Sequence, residues 1–265
     1  MIKGSPIVRW EKGRRPRRAQ DELALEEPLE IRVDNRPVAV TMRTPGHDEE
    51  LALGFLFSEG LIRRREQVVN TAAHPRNVDK NVLGIFLADG VEIDVKSLDR
   101  HTFVSSSCGL CGKTSIESVR RQFPPIRSRI RVAAEMLLAL PEKLRREQTT
   151  FSRTGGLHAA GIFDLDGNLL LLREDIGRHN AVDKVLGRGL LDGLLPYDRH
   201  VLVVSGRASF EIMQKALAGR LPIVVAVSAP SSLAVQFAKA SRQTLAGFVR
   251  GERMNVYAGA KRIIF

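Results

Sequence analysis

Two nearly unbroken apolar runs in the second half of the chain restrict what it can fold into. They are HVLVVSG (200–206) and PIVVAVSA (222–229), and stretches with helical spacing follow them at about 208–218 and 231–243. Strands without a polar face are buried on both sides, as in a partly parallel sheet that is covered by helices. The second half is therefore predicted to be an α/β unit.

Further elements extend this unit and define a second one. The α/β unit also contains a helix over 132–147, a hairpin over 159–175 that turns at Asp166-Gly167, a helix over 179–191, and strands over 244–251 and 254–259. The first half predicts hairpins over 29–42 and 82–95, which turn at Asp34-Asn35 and Asp89-Gly90, and helices over 47–60 and 114–123. We therefore predict an α+β chain with a smaller β-rich N-terminal domain (23–127) and a larger α/β domain (128–265).

The charge of the chain is strongly positive and unevenly distributed. The formal net charge is +11, and residues 1–20 carry seven Lys or Arg against one acidic residue. We therefore predict a basic flexible tail over residues 1–22. A shorter basic cluster contains Arg127, Arg129 and Arg131. Aromatic residues make up only 5% of the chain, so a nucleic-acid partner is not expected, and a phosphorylated cofactor or an acidic protein fits the charge better.

The hydropathy pattern favours a cytoplasmic protein without a membrane partner. No apolar run approaches the length that a bilayer-spanning helix needs. The first twenty residues lack the apolar core and small-residue cleavage site of a secretion signal.

The only cysteines, Cys108 and Cys111, lie three positions apart in SSSCGLCGKTS (105–115). A disulfide, a metal site, a redox couple and a sulfur relay are the possible uses of such a pair. Two cysteines do not form a disulfide framework, and structural zinc needs four ligands where this chain has one cysteine pair and scattered histidines. The neighbouring glycines indicate an exposed, mobile thiol, which leaves dithiol exchange and sulfur transfer open.

Glycine, arginine and histidine recur where predicted elements end. The four segments are RTGGLHAAG (153–161), REDIGRHNAVDK (173–184), SGRASFE (205–211) and SAPSS (228–232). Strand ends and helix N-termini in an open α/β sheet meet at one edge and favour phosphate there, so the convergence of these segments predicts a phosphorylated ligand. The alternative is that their charged residues form ordinary i,i+4 surface pairs. Those pairs would be Arg207–Glu211 and His179–Asp183.

Seven motifs, in this order, resemble the FdhD/NarQ family. They are TPGHDEELALGFLFSEGLI, SSSCGLCGK, TGGLHAAGIF, REDIGRHNAVDKVLG, SGRASFEIMQKA, SAPSSLAVQFA and TLAGFVRGERMNVY, and the resemblance as a whole runs from about residue 28 to 259. The resemblance implies a sulfurtransferase that matures formate dehydrogenase. Such a protein takes persulfide sulfur from a cysteine desulfurase and passes it to the molybdenum of the bis(molybdopterin guanine dinucleotide) cofactor, before that cofactor enters formate dehydrogenase.

The resemblance also implies the roles of particular residues. Cys108 corresponds to the cysteine that carries the persulfide, and Cys111 to the second cysteine of the loop. The segment that contacts the cofactor corresponds to Phe248, Val249, Arg250, Gly251, Glu252 and Arg253. Its two arginines have the charge that a pyrophosphate requires. The family further suggests a homodimer.

The fold that the resemblance implies is a three-layer C-terminal domain similar to cytidine deaminase. Zinc deaminases need a glutamate two residues after their histidine, and HAA (158–160) has Ala160 at that position. We therefore expect the fold without zinc or any other resident metal.

A thiol-disulfide oxidoreductase and a non-catalytic molybdenum-cofactor chaperone are the alternative functions.

Overall fold

A computed structural model describes residues 1–73, 81–93 and 122–265 of the chain. The elements of the N-terminal half are mainly strands. These elements are β1 (Ile2–Arg9), β2 (Arg17–Ala24), β3 (Glu27–Val33), β4 (Arg36–Arg43), α1 (Asp48–Ser58), a 3-10 turn (Arg65–Gln67), β5 (Val68–Ala73) and β6 (Val82–Leu87). The predicted hairpin over 29–42 is confirmed by β3 and β4. Asp34 and Asn35 connect them with φ values of 46° and 65°, as a type I′ turn requires.

The second predicted hairpin, over residues 82–95, is wrong within the described part of the chain. β6 pairs in parallel with β3 and antiparallel with β5, so the sheet order is β4-β3-β6-β5. Residues 91–93 form no strand after the Asp89-Gly90 turn. Pairing with two earlier strands fully buries Ile85, a long-range gain that the local pattern does not reveal. Of the helix predicted over 114–123, residues 114–121 lie outside the described residues.

The first 22 residues were expected to form a flexible tail and instead belong to an antiparallel hairpin of β1 and β2. The basic side chains from Arg9 to Arg18 are exposed, while Ile2, Ile7 and Ala19 are half-buried. Arg153 donates a 2.7 Å hydrogen bond to Glu22 and so ties the hairpin to the C-terminal half. The charge composition suggested disorder, but alternating apolar positions and this ion pair favour a strand pair.

The C-terminal half is built from alternating strands and helices. Its elements are β7 (Val132–Ala133), α2 (Ala134–Glu147), α3 (Thr149–Thr154), β8 (His158–Phe163), β9 (Leu169–Asp175), α4 (Arg178–Leu191), β10 (Val201–Val204), α5 (Phe210–Ala218), β11 (Ile223–Ala226), α6 (Ser232–Ala240), β12 (Thr244–Arg250), β13 (Arg253–Ala258), a 3-10 turn (Ala260–Arg262) and β14 (Ile263–Ile264). Among the described strands, six form a sheet in the order β13-β12-β11-β10-β8-β9. β10, β11 and β12 are parallel and the other neighbours antiparallel, so the predicted partly parallel sheet is confirmed.

This sheet separates two hydrophobic clusters. Leu202 and Val204 of β10 belong to the cluster that contains α4, α5 and α6. Val201 and Val203 of the same strand belong to the cluster that contains α2. The alternation of side chains along a strand thus produces three layers, with helices on both faces of the sheet. A mixed α/β fold is confirmed, whereas its likeness to cytidine deaminase stays a prediction.

The larger cluster also contains residues of the N-terminal half. Leu29 and Ile31 of β3 share it with Leu202 and Val224. The domain boundary predicted between residues 127 and 128 stays a prediction, and a hydrophobic core extends across it.

Two glycines allow α1 and α4 to cross with their backbones in contact. A Cβ atom on Gly54 would lie 1.8 Å from the carbonyl oxygen of Asp183, and one on Gly187 would lie 1.8 Å from that of Glu50. Both distances are far below any van der Waals contact, so no larger residue fits at either position without separating the helices. The crossing holds the N-terminal half against α4, the helix that follows β9 of the C-terminal sheet.

Buried charges accompany this crossing. The Lys215 ammonium of α5 donates hydrogen bonds of 2.8 Å to both carboxylate oxygens of Asp183 and one of 2.9 Å to Ser58. Burial alone would lower the pKa of Lys215, but the carboxylate charges of Asp183 and Glu59 raise it, so the side chain stays protonated. Removing either partner of the Lys215–Asp183 pair would leave an uncompensated buried charge.

Replacing Gly54 by alanine tests the helix crossing. Alanine is about 1 kcal/mol more favourable than glycine inside a helix, but the clash with the Asp183 carbonyl costs more. We therefore expect the free energy of unfolding to fall by about 2 kcal/mol or more. Denaturant unfolding measures this loss. Gly4→Ala is the control because nothing lies within 4 Å of its added Cβ. Equal unfolding free energies for wild type and Gly54→Ala would contradict the crossing.

Candidate cofactor-binding site

The segment predicted to contact a cofactor, residues 248–253, is the turn between β12 and β13. Phe248, Arg250 and Arg253 are exposed there, as are the two turn residues between the strands, whereas Val249 is buried. Arg250 and Arg253 are opposite each other in the strand register. Both guanidinium groups therefore lie at one end of the sheet.

An irregularity in β12 presents Phe248 to solvent. The strand register shifts between Gly247 and Arg250, and Phe248 has a φ of 53°. Its N–H donates a 3.2 Å hydrogen bond to the carbonyl oxygen of Ser228, in the turn after β11. The bulge thus turns the Phe248 side chain outward, although the residues on either side of it in β12 are buried.

The other predicted segments lie at the same edge of the sheet. β10, β11 and β12 are parallel, so the residues that follow them, beginning at Ser205, Val227 and Gly251, share one edge. β8 runs antiparallel to β10 and begins at this edge with His158, which pairs with Asp175 at the end of β9. The convergence that the sequence predicted is confirmed.

Backbone hydrogen bonds connect neighbouring turns along this edge. Ser205 donates its N–H to the carbonyl of Ala159 at 3.0 Å, and the Ala159 N–H donates to the Ser205 hydroxyl at 2.8 Å. Ser231 donates its N–H to the carbonyl of Ala208 at 3.0 Å. The turns after β10 and β11 are therefore held in fixed positions relative to β8 and to each other.

Positive charge is concentrated beside His158. Burial lowers the pKa of His158 below its usual value, and the charges of Arg178, His179 and Arg207 lower it further, against a smaller opposing effect of Asp175. A Cβ on Gly206 would lie 3.2 Å from His158 Nδ1, so the turn after β10 packs closely against the imidazole ring. Cationic groups from α4 and from the β10–α5 turn thus lie around this imidazole.

Helices α5 and α6 also begin at this edge. The Ser209 hydroxyl accepts a hydrogen bond from the N–H of Ile212, and the Ser231 hydroxyl accepts one from the N–H of Ala234 at 3.1 Å. Helix N-termini carry partial positive charge, which adds to that of the arginines. The edge is electrostatically suited to an anion with more than one negative charge.

Neither of the i,i+4 surface pairs considered for this region forms. His179 Nε2 lies 3.0 Å from the Ser209 hydroxyl and 3.2 Å from Glu211 Oε2, so Glu211 is paired with His179 rather than with Arg207. Asp183 is buried against Lys215 instead. Burial alone would raise the pKa of Glu211, but its hydrogen bonds and the charge of His179 lower it to about 2. Glu211 is therefore a carboxylate at neutral pH.

Asp175 positions the entrance to α4, a role that its sequence pattern did not reveal. The fully buried carboxylate accepts hydrogen bonds from the N–H groups of Thr44 (3.1 Å) and Gly177 (2.8 Å). Lys184 Nζ lies 2.7 Å from the carboxylate and donates to the carbonyl of Thr44 at 2.9 Å. The two contacts with Thr44 join residues 131 and 140 positions apart in the chain, so only the folded structure identifies them.

The predicted sulfur site, Cys108 and Cys111, lies outside the described residues. The described chain stops at Ile93 and resumes at Gln122, whose side-chain amide donates a 2.8 Å hydrogen bond to the carbonyl of Glu59 at the end of α1. Residues 1–73, 81–93 and 122–265 contain no group of three metal-ligating side chains. No helix in these same ranges has the length and apolar character to span a membrane.

Comparison with known proteins links this arrangement to one family. The model of the FdhD/NarQ family matches residues 24–264. The chain is 50% identical over 255 residues to "Sulfur carrier protein FdhD" of Streptomyces coelicolor, with 92% of this chain and 89% of that protein covered. It is 51% identical over 253 residues to the protein of the same name from Mycobacterium tuberculosis, with 92% of each covered.

A solved structure shows the same fold. It is that of a candidate formate dehydrogenase accessory protein from Desulfotalea psychrophila, with a TM-score of 0.76 and 24% sequence identity over 99% of both chains. At this identity the likeness concerns the fold alone.

Removing one positive charge tests the electrostatics of this edge. Arg207→Ala should raise the pKa of His158, because a neighbouring cation disfavours the protonated imidazole. An NMR titration of the histidine ring signals measures the change. Arg242→Ala removes another exposed arginine, which precedes β12 at the opposite end of the strands, and should leave this pKa unchanged. Identical titrations of His158 in wild type and Arg207→Ala would contradict the described cluster.

Proposed function

This chain belongs to the FdhD/NarQ family, and we propose that it is a sulfurtransferase that carries sulfur to a molybdenum cofactor during the maturation of formate dehydrogenase. The observation that carries the proposal is the identity of about 50%, over nine-tenths of the chain, to proteins named sulfur carrier. The basic sheet edge supports the cofactor part of it.

Sulfur acceptance is assigned to Cys108. Its thiolate attacks the outer sulfur of a persulfide on a cysteine desulfurase, and the sulfur–sulfur bond of that persulfide breaks. The desulfurase cysteine leaves as a thiolate and Cys108 becomes the persulfide, so one sulfur atom moves without net oxidation or reduction. The thiolate is the nucleophile in such exchanges.

Cys111 has two possible roles in delivery. In the first, its thiolate attacks the inner sulfur of the Cys108 persulfide, forms a Cys108–Cys111 disulfide and releases sulfide at the molybdenum. The two thiols then supply the two electrons that reduce the transferred sulfur, and a later reductant of the thiol class restores them. In the second role, Cys111 receives the sulfur atom itself and carries it as a persulfide.

The guanine dinucleotide of the cofactor is proposed to bind at the basic sheet edge. A pyrophosphate carries several negative charges, and Arg207, Arg250 and Arg253 supply matching charge beside the N-termini of α5 and α6. Exposed Phe248 offers a flat surface on which a guanine base stacks. Substrate binding and sulfur acceptance would thus involve different parts of the chain, and the cofactor is cargo, not a resident group.

The sulfur part of the proposal is tested by incubating the protein with cysteine and a cysteine desulfurase, followed by intact-mass measurement without reductant. We expect wild type and Cys111→Ala to gain sulfur that a thiol reductant removes, and Cys108→Ala to gain none. Equal sulfur gain in wild type and Cys108→Ala would exclude Cys108 as the acceptor.

Complementation separates the proposal from its alternatives. The variant lacking both cysteines should fail to restore formate dehydrogenase activity in cells without the native protein. Restored activity would indicate a cofactor chaperone whose cysteines carry no sulfur. Reduction of insulin disulfides by wild type, without desulfurase-dependent sulfur gain, would indicate a thiol-disulfide oxidoreductase.

A further inference from the structure

A depression with several arginines lies where β10 and β11 begin, at a place that the proposed function does not use. Its volume is about 580 Å³, and its lining includes Ile126, Arg127, Arg129, Asp198, Arg199 and Arg220. We call it the arginine depression. Two of its residues belong to the basic cluster that the sequence shows at 127–131 and that the sulfur-carrier function leaves unexplained.

The segment that forms one wall of the depression is anchored by its backbone. Ile126 is buried, and its N–H donates a 2.9 Å hydrogen bond to the carbonyl of Ser241. The Ser128 hydroxyl donates to the carbonyl of Asp198 at 3.2 Å, and Arg262 donates to the carbonyl of Ser128 at 3.2 Å. The wall is therefore built in place by the fold, independently of any ligand.

Positive charge in the depression is poorly neutralised. Asp198 is the one acidic side chain among its described lining residues. Within the described part of the chain, no acidic side chain forms an ion pair with Arg127, Arg129 or Arg199, and all three are exposed. Arg220 donates hydrogen bonds to the carbonyls of Pro124 and Pro125, which are neutral acceptors, and Asp198 supplies an opposing charge. A preformed surface with this much charge is complementary to an anionic partner.

The depression is separate from the candidate cofactor site. Arg199 and Arg220 precede β10 and β11, whereas Arg207 follows β10. Because these two strands are parallel, the depression and the cofactor site lie at opposite ends of them. A ligand in the depression would not occupy the pyrophosphate position.

We propose that the arginine depression docks a carboxylate-rich segment of a protein partner. The depression is open, so it would bury too little of a small oxyanion to hold it tightly, whereas an extended acidic segment makes several contacts at once. Arginine forks match carboxylates in bidentate geometry. The described lining contains no Phe, Tyr or Trp, so the stacking surface that single-stranded nucleic acid uses is absent from it.

The experiment measures binding of a fluorescent octaglutamate peptide to the full chain, with octaglutamine as the neutral control. We expect Arg127→Ala combined with Arg199→Ala to weaken octaglutamate binding by about tenfold or more, because charge-assisted contacts are lost. Both side chains are exposed, so the double variant should unfold at the same temperature as wild type. Affinity for GDP, which shares the guanosine and pyrophosphate groups of the cofactor, should not change, since the guanine dinucleotide is assigned to the other end of the strands.

The matched control removes the same charge elsewhere. Arg15→Ala combined with Arg18→Ala, in the exposed β1–β2 hairpin, should leave octaglutamate affinity within about twofold of wild type, because neither arginine lines the depression and salt screens exposed charges. Equal weakening by both double variants would reduce the effect to net charge and overturn the proposal. Absence of octaglutamate binding would overturn it as well. Tighter, depression-dependent binding of tripolyphosphate or oligo(dT) would assign the depression to phosphate or nucleic acid instead.

Discussion

The contact between α1 and α4 holds the two halves of the chain together. Gly54 and Gly187 bring the helix backbones together, and the paired charges of Lys215 and Asp183 lie beside the crossing in the same buried layer. A buried ion pair contributes little net stability, but losing one partner is costly, so the pair disfavours other helix arrangements. Close packing and charge pairing thus allow one relative position of the two halves of the chain.

The geometry of the candidate cofactor-binding site depends on how the two halves of the chain pack together. α4 begins three residues after Asp175, whose carboxylate is held by Thr44 from the N-terminal half and by Lys184 from α4 itself. The second residue of α4, His179, contacts Ser209 at the start of α5. The basic edge is therefore fixed from both halves, and the charges around His158 are positioned without a ligand. Such preorganisation lowers the cost of binding a pyrophosphate.

The sequence predicts elements with strong local signals and fails where partners are distant. The Val-rich strands, the Asp34-Asn35 turn and the shared edge of the Gly/Arg segments were all predicted, because periodicity and turn chemistry are local. The pairing of β6 with β3 and β5 was missed, since strand partners are chosen by burial across the whole fold. The local spacing pairs Asp183 with His179 on the surface of a helix. In the structure Asp183 is instead buried against Lys215, which lies 32 positions away in the chain. The β1–β2 hairpin was not predicted, because the excess of basic residues indicates a flexible tail and masks the alternating apolar residues of the strands.

The guanine dinucleotide is proposed to bind where the parallel strands end. The most direct measurement is a crystal structure of the full chain with GDP, which shares the guanosine and pyrophosphate groups of the cofactor. We expect the phosphates at the sheet edge, within hydrogen-bond distance of Arg207 or Arg250 or of the N–H groups that begin α5. Phosphates bound at the opposite end of the strands, beside Arg199 and Arg220, would contradict the account.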